Sequence, residues 1–375
     1  MTRTRRQLGG SHAAGPLVVG TAAVNGLAYD SHQTWAFWRA DASALTETPF
    51  RLQNGERATM GIVRSLDPTW YGPRRLSTLT EAALMHLGGV LGRIRVALRV
   101  GVWIAAAVEL GDARDPYFGP YRRSFERRIT SFFETRGVRA PVQLVCRGHA
   151  GFAHVVEAAR EALTDGSVDL AIVGGADTYY DPLRFDMLEE AERIFDQRRT
   201  DAFIPGEGAA FAVLVRPSMA RQLGLESLCA IETVATDEEP APMGSERACT
   251  GVGLTRVMRA CTERLKADGR RLDWMLGDLT NESYRARELQ LALPRAMAPG
   301  GLDTAGATYR EVAAEGFRGD FLPEAFGDLG AATMPTALTI ATEAFLRGDP
   351  KAAGCMIVGS STNTDRGAML VAATT

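Results

Sequence analysis

Short apolar runs, many of them β-branched, recur along the chain and are separated by helical patterns. Residues 17–20, 99–107, 142–146, 170–174, 211–215, 275–279 and 355–359 read as buried strands. Residues 77–91, 121–135, 152–164, 254–267, 286–292 and 336–347 read as helices. Strands that alternate with helices predict a layered α/β architecture.

One internal echo refines that picture. Glu161-Ala162-Leu163-Thr164-Asp165-Gly166 leads into the apolar run 168–175, and Glu343-Ala344-Phe345-Leu346-Arg347-Gly348 leads into 354–360. Each is a helix, a glycine break and a buried strand that ends in glycine. Upstream of them, Gly148-His149-Ala150-Gly151 has a counterpart in Gly327-Asp328-Leu329-Gly330. The repeat length is about half the chain, far too long for a solenoid. It predicts two topologically similar halves packed as one body.

Composition narrows the function classes. With 375 residues, 46% of them hydrophobic, the chain can bury a large core. A formal charge of −3 points to no polyanionic partner, and the basic start Arg3, Arg5, Arg6 is too short for a nucleic-acid arm. The five cysteines, Cys146, Cys229, Cys249, Cys261 and Cys355, have no metal-ligand spacing and suit a reduced cytoplasmic setting. Arg5-Arg6 before the apolar stretch 17–28 faintly resembles an export signal, but the first strand accounts for that stretch. No apolar run is long enough to predict a membrane span, and no phosphate-loop or nucleotide motif is present. No metal or cofactor is expected. The acidic, proline-containing stretch 235–247 reads as a surface loop.

The order of these pieces resembles the β-ketoacyl synthase branch of the thiolase-like superfamily. The stretch 168–177, with Gly174 and Gly175, is similar to the family's strand and glycine pair after the nucleophile helix. Gly206-Glu207-Gly208 resembles its Gly-Glu-Gly segment, followed again by a strand. Gly327-Asp328-Leu329 resembles its late Gly-His-Leu segment with aspartate in the histidine's place, and 358–363 resembles the glycine-rich turn before its last strand. The resemblance runs from about residue 16 to the end. It implies a five-layered αβαβα core of two pseudo-equivalent halves, a tail over 1–15, an N-terminal half over 16–218 and a C-terminal half over 219–375. It also implies a dimer.

The family's chemistry does not carry over with the fold. The resemblance places a nucleophilic cysteine at the start of a buried helix, where backbone N–H groups and the helix dipole lower its pKa. That place falls on His149. Cys146, three residues earlier, is the alternative nucleophile if the register slips, and otherwise a small buried residue. The family's first histidine should follow the strand 275–279, where the chain has Asp278, Thr280, Asn281 and Glu282. The second falls on Asp328, and the family lysine meets only Leu322, Pro323 and Glu324. All five histidines, His12, His32, His86, His149 and His154, precede residue 155.

A different polar set stands in these places. His149, Asp278 and Asp328 are the candidate catalytic residues, since a carboxylate-oriented imidazole can move a proton. Arg147, Asn281, Glu282 and Asn363 are candidate substrate contacts. Asp328 could equally cap a turn, and His149 could be a hydrogen-bonded interior residue. Glu207 is expected to be structural, its carboxylate binding loop amides beside the glycines.

Three functions stay open. The first is a non-condensing partner or acyl-binding subunit in fatty acid or polyketide-type metabolism. It would act with an acyl carrier protein or acyl-coenzyme A, as a homodimer or as a heterodimer with an active ketosynthase. The second is an acyltransferase or hydrolase of acyl thioesters with His149 as acid/base. The third is condensation through Cys146. No nucleic acid or membrane partner is expected.

Overall fold

A computed structural model describes residues 15–92, 94, 97–297, 317–349 and 354–374. The strands are β1 Leu17–Asn25, β2 Leu45–Arg51, β3 Arg57–Gly61, β4 Val100–Ala105, β5 Val142–Val145 and β6 Leu170–Thr178. They continue as β7 Glu207–Val215, β8 Cys229–Glu238, β9 Trp274–Gly277, β10 Arg318–Phe321, β11 Gly354–Ser360 and β12 Asp365–Ala373. The helices are α1 Ser31–Arg39, α2 Gly72–His86, α3 Gly88–Leu91, α4 Phe118–Glu134, α5 Gly151–Thr164 and α6 Pro182–Glu190. Then come α7 Pro217–Leu223, α8 Val252–Ala267, α9 Ser283–Met297, α10 Pro323–Phe326 and α11 Thr333–Leu346.

The predicted duplication is visible in the strand order. The ten main strands run β10-β9-β11-β12-β8-β1-β7-β6-β4-β5. Reading outward from the central β1–β8 contact, one half is β1-β7-β6-β4-β5 and the other β8-β12-β11-β9-β10. These are the same topology, with β1 matching β8 and each later strand its counterpart. In both halves the inner pairs β1–β7 and β8–β12 are antiparallel, whereas β4–β6 and β9–β11 are parallel.

Layering follows from which side chains are apolar. α5 and α11 lie between the halves and bury Phe152, Val155, Val156, Leu338 and Ile340 against strands of both. α11 is buried nearly all round, its threonines included, as a helix in a middle layer must be. α2 and α4 are amphipathic and cover the outer face of the N-terminal half through Leu76, Leu79, Phe125 and Ile129. α8 and α9 cover the outer face of the other half through Leu254, Met258, Leu289 and Leu293. The result is the expected αβαβα sandwich.

Several elements depart from the expectation. β8 extends to Glu238, so the first residues of the stretch read as a surface loop are sheet. The predicted helix 77–91 is two helices, α2 and α3, divided at Leu87. The small hairpin β2–β3 stands apart from the main sheet. The expected tail over 1–15 lies outside the described residues except for Gly15. Among the described residues, no helix is long and apolar enough to cross a membrane.

Candidate functional site

Each half delivers its middle helix to the centre through the same device. After β5 the chain turns at Gly148, whose φ of +63° favours glycine, into a 3-10 turn Gly148–Ala150 and then α5. After α10 it turns at Gly327, φ +71°, and a second 3-10 turn, Gly330–Ala332, precedes α11. A side chain at Gly327 would also press on Pro205 O, at 2.7 Å from its Cβ. The two turns meet. His149 comes from the first and Asp328 from the second, and His149 Nε2 lies 2.6 Å from Asp328 Oδ1.

Asp328 Oδ1 also accepts the Gly330 N–H at 2.8 Å, which fixes the carboxylate in its own turn. The His149 ring does not face open space. Arg285, one turn into α9, lays its guanidinium beside the ring, with Nη2 at 3.5 Å from Nδ1 and 3.3 Å from Nε2.

Arg285 is the hub, and the sequence reading missed it. Nη1 donates to Asp278 Oδ2 at 2.8 Å and to Ser360 O at 2.6 Å. Nε donates to Glu282 Oε2 at 3.3 Å. Asp278 is held further by the Ser360 N–H at 2.7 Å. Glu282 also takes Arg193 Nε at 2.8 Å and Thr280 Oγ1 at 3.2 Å. His149, Asp278, Glu282, Arg285 and Asp328 are exposed by 5% or less. The centre is therefore an interlocked ionic network sealed in the fold.

The electrostatics follow from that burial. Burial alone would push the Asp328 carboxyl up. The His149 imidazole and Arg285 guanidinium more than offset it and hold the carboxyl well below the usual carboxylate range. Burial also opposes the charge on Arg285, but Asp278, Asp328 and Glu282 keep it firmly protonated. A depressed carboxyl pKa stabilises the fold above the unfolded value of ~3.9, and that contribution is lost as pH falls toward the folded value. The urea midpoint gap between the native chain and Asp328→Asn is therefore expected to be widest above about pH 4 and to narrow steadily below it. A gap that stays constant through the acid range would contradict this assignment.

The other candidates lie elsewhere. Arg147, half exposed, and Asn363 both bind Asp365, and His154 Nε2 lies 3.4 Å from it. They form their own cluster and do not reach His149. Asn281 is exposed on the surface beside Glu282. Cys146 packs against the outer core of the N-terminal half, and burial pushes its thiol up to about 11. At neutral pH it is a thiol and not a thiolate, contrary to what a nucleophile needs.

Glu207 is fully buried, accepts the Val63 N–H at 2.8 Å and Thr178 Oγ1 at 2.7 Å, and pairs with both forks of Arg75. A Cβ at Gly174 would lie 2.1 Å from Phe211, at Gly175 2.1 Å from Ala331 O and at Gly206 2.7 Å from Phe326 O. At Gly208 it would meet Val24 O at 3.1 Å. These glycines let strand and turn backbones cross. Among the described residues, no group of three or more His, Cys, Asp or Glu is arranged to hold a metal ion.

Known proteins share parts of this chain. The sequence profile of the β-ketoacyl synthase N-terminal domain matches residues 127–220, which include the His149 turn, the Gly174-Gly175 strand and Glu207. Polyketide beta-ketoacyl synthase 1 of Streptomyces halstedii is 28% identical over 178 residues, 44% of this chain and 42% of that protein. Its namesake in Streptomyces cyaneus is 26% identical over 184 residues, 46% of this chain and 43% of that protein. Each match thus spans less than half of either protein.

Solved structures match over nearly the whole length. A chain of a type II polyketide synthase acyl-carrier protein in complex with its ketosynthase bound to the hexaketide (AntDE:AntF) superposes with a TM-score of 0.76 at 14% identity. That match covers 97% of this chain and 100% of the other. The ishigamide ketosynthase/chain length factor gives 0.74 at 15%, with the same coverage. The oxazolomycin ketosynthase domain OzmH KS7 of Streptomyces albus gives 0.71 at 16%, covering 96% of this chain and 74% of that one.

Proposed function

We propose that this chain, which matches the β-ketoacyl synthase N-terminal domain over residues 127–220 and shares the ketosynthase fold, is a non-condensing subunit that pairs with an active ketosynthase in polyketide-type biosynthesis. One observation carries the reading: the Arg285 guanidinium lies beside His149, tied to Asp278 and Glu282 with almost no exposure. Condensation needs a thiolate and room for an acyl chain beside it. On the sequence reading His149 takes the thiol's place, and the Arg285 guanidinium lies beside its ring.

A subunit that has given up chemistry can still shape and complete its partner. The sheet ends at β5, an edge strand with half-buried Val142 and Leu144, and a second sheet could pair there through backbone hydrogen bonds. Pairing with a ketosynthase, and work on chains carried by an acyl carrier protein, agree with what the similar structures hold. A homodimer is the rival assembly.

The His149–Asp328 contact favours one other reading, an acyl-thioester hydrolase or transferase with His149 as acid/base. That reading requires Arg285 to withdraw and admit a thioester.

Co-expression of the tagged chain with a type II polyketide ketosynthase separates these. The expected result is a one-to-one complex on size exclusion, with chain elongation on the carrier protein that neither protein alone supports. Elongation by the ketosynthase alone at the same rate, with no complex, would overturn the pairing role.

A further inference from the structure

Glu282 enters the ionic centre from the surface. Its neighbours Asn281 and Ser283 are exposed, while its own side chain is buried. Oε1 takes Nε and Nη2 of Arg193, both at 2.8 Å. Oε2 takes Thr280 Oγ1 at 3.2 Å and Arg285 Nε at 3.3 Å. Arg193 is 24% exposed, so this carboxylate lies one side chain below the surface.

We propose that Glu282 occupies, from within the chain, a binding site for a carboxylate anion formed by Arg193, Arg285 and Thr280, and that an incoming carboxylate takes its place.

The donors are fixed without Glu282. Arg285 is anchored on its far side by Asp278 and by Ser360 O at 2.6 Å. Arg193 lies over the Phe203 ring, 5.1 Å from its centre. Two guanidinium groups and a hydroxyl therefore converge on one carboxylate-sized position. Fixed forks of this kind bind carboxylates at low ordering cost.

Charge makes the exchange one for one. Around the site Arg193 and Arg285 face three carboxylates, those of Asp278, Glu282 and Asp328. A fourth carboxylate beside these would be repelled in a medium that screens poorly. A carboxylate that replaces Glu282 leaves the balance unchanged. The exchange requires Glu282 to rotate outward, toward the exposed flank at Asn281. Ligand and Glu282 are thus mutually exclusive, and the native site is self-inhibited. No bond is made or broken, and the inference does not depend on pairing with a ketosynthase.

The test is calorimetric titration of the full chain with sodium propionate, a monocarboxylate, in chloride-free buffer, with neutral methyl propionate, a carboxylic ester, as control. Glu282→Ala is expected to bind propionate about tenfold or more tightly than the native chain. Adding Arg193→Gln should abolish the gain, and the ester should bind to none of them. Should Glu282→Ala fail to fold, Glu282→Gln keeps the side-chain volume, loses the charge and is expected to bind about threefold more tightly than the native chain. Equal affinity of the native chain and the folded variant would overturn the proposal. So would a gain that survives Arg193→Gln or extends to the ester.

Discussion

Arg285→Met is expected to lower the unfolding free energy by ~3–5 kcal/mol, a large share of what holds an ordinary domain together. The guanidinium is 3% exposed and is shared among Asp278, Glu282 and His149. Methionine fills much of the volume but donates nothing. Asp278, Glu282 and Asp328 would then face one another in a place water hardly reaches, and a buried charge without a partner costs several kcal/mol. Arg285→Lys keeps the charge but reaches fewer acceptors than the planar fork, so it should fall between native and methionine. Urea unfolding followed by circular dichroism at neutral pH reads both. A methionine variant within ~1 kcal/mol of native would show that the network is dispensable.

Arg75→Met is expected to cost a comparable ~3–5 kcal/mol, for the same reason at a different place. It leaves Glu207, fully buried, with only the Val63 amide and Thr178 hydroxyl. The arginine also bonds the carbonyls of Val63, Asp67 and Trp70 and lies over the Tyr180 ring at 4.1 Å, so one substitution loosens several loops. The double change Arg75→Met with Glu207→Leu removes both charges and should be less costly than Arg75→Met alone. Chemical unfolding of the three variants forms the cycle. If the double variant proves worse than the single, the cost lies in the carbonyl contacts and not in the stranded carboxylate.

What could be read from the sequence follows what is buried on both sides. β6, β7 and β11 are apolar on both faces because sheet and helix cover each, so they appear as unbroken runs. β10, Arg-Gly-Asp-Phe, is a polar edge strand, and β8 alternates apolar with Glu, Thr and Asp, so neither stood out. The meeting of His149 and Asp328 was legible because both follow a glycine turn repeated in each half. Arg285 was not. Glu282, Arg285 and Glu288 follow at three-residue spacing along the start of α9, a pattern that on most helices marks a solvated face. Here that face turns inward: Glu282 and Glu288 reach Arg285 and Arg366, each of them buried. Arg147 and Asn363 were placed near the centre by their neighbours in sequence, yet Asp365 draws both away. The positions of chain turns were thus readable, whereas the partners of long charged side chains were not.

The central claim is that the Arg285-filled centre accepts no acyl group. Intact-mass measurement of the native chain after incubation with an acylated carrier protein or an acyl-coenzyme A tests it most directly. The account predicts an unchanged mass, with the thioester left intact in the mixture. An added acyl mass that disappears in His149→Ala and persists in Cys146→Ala would contradict it.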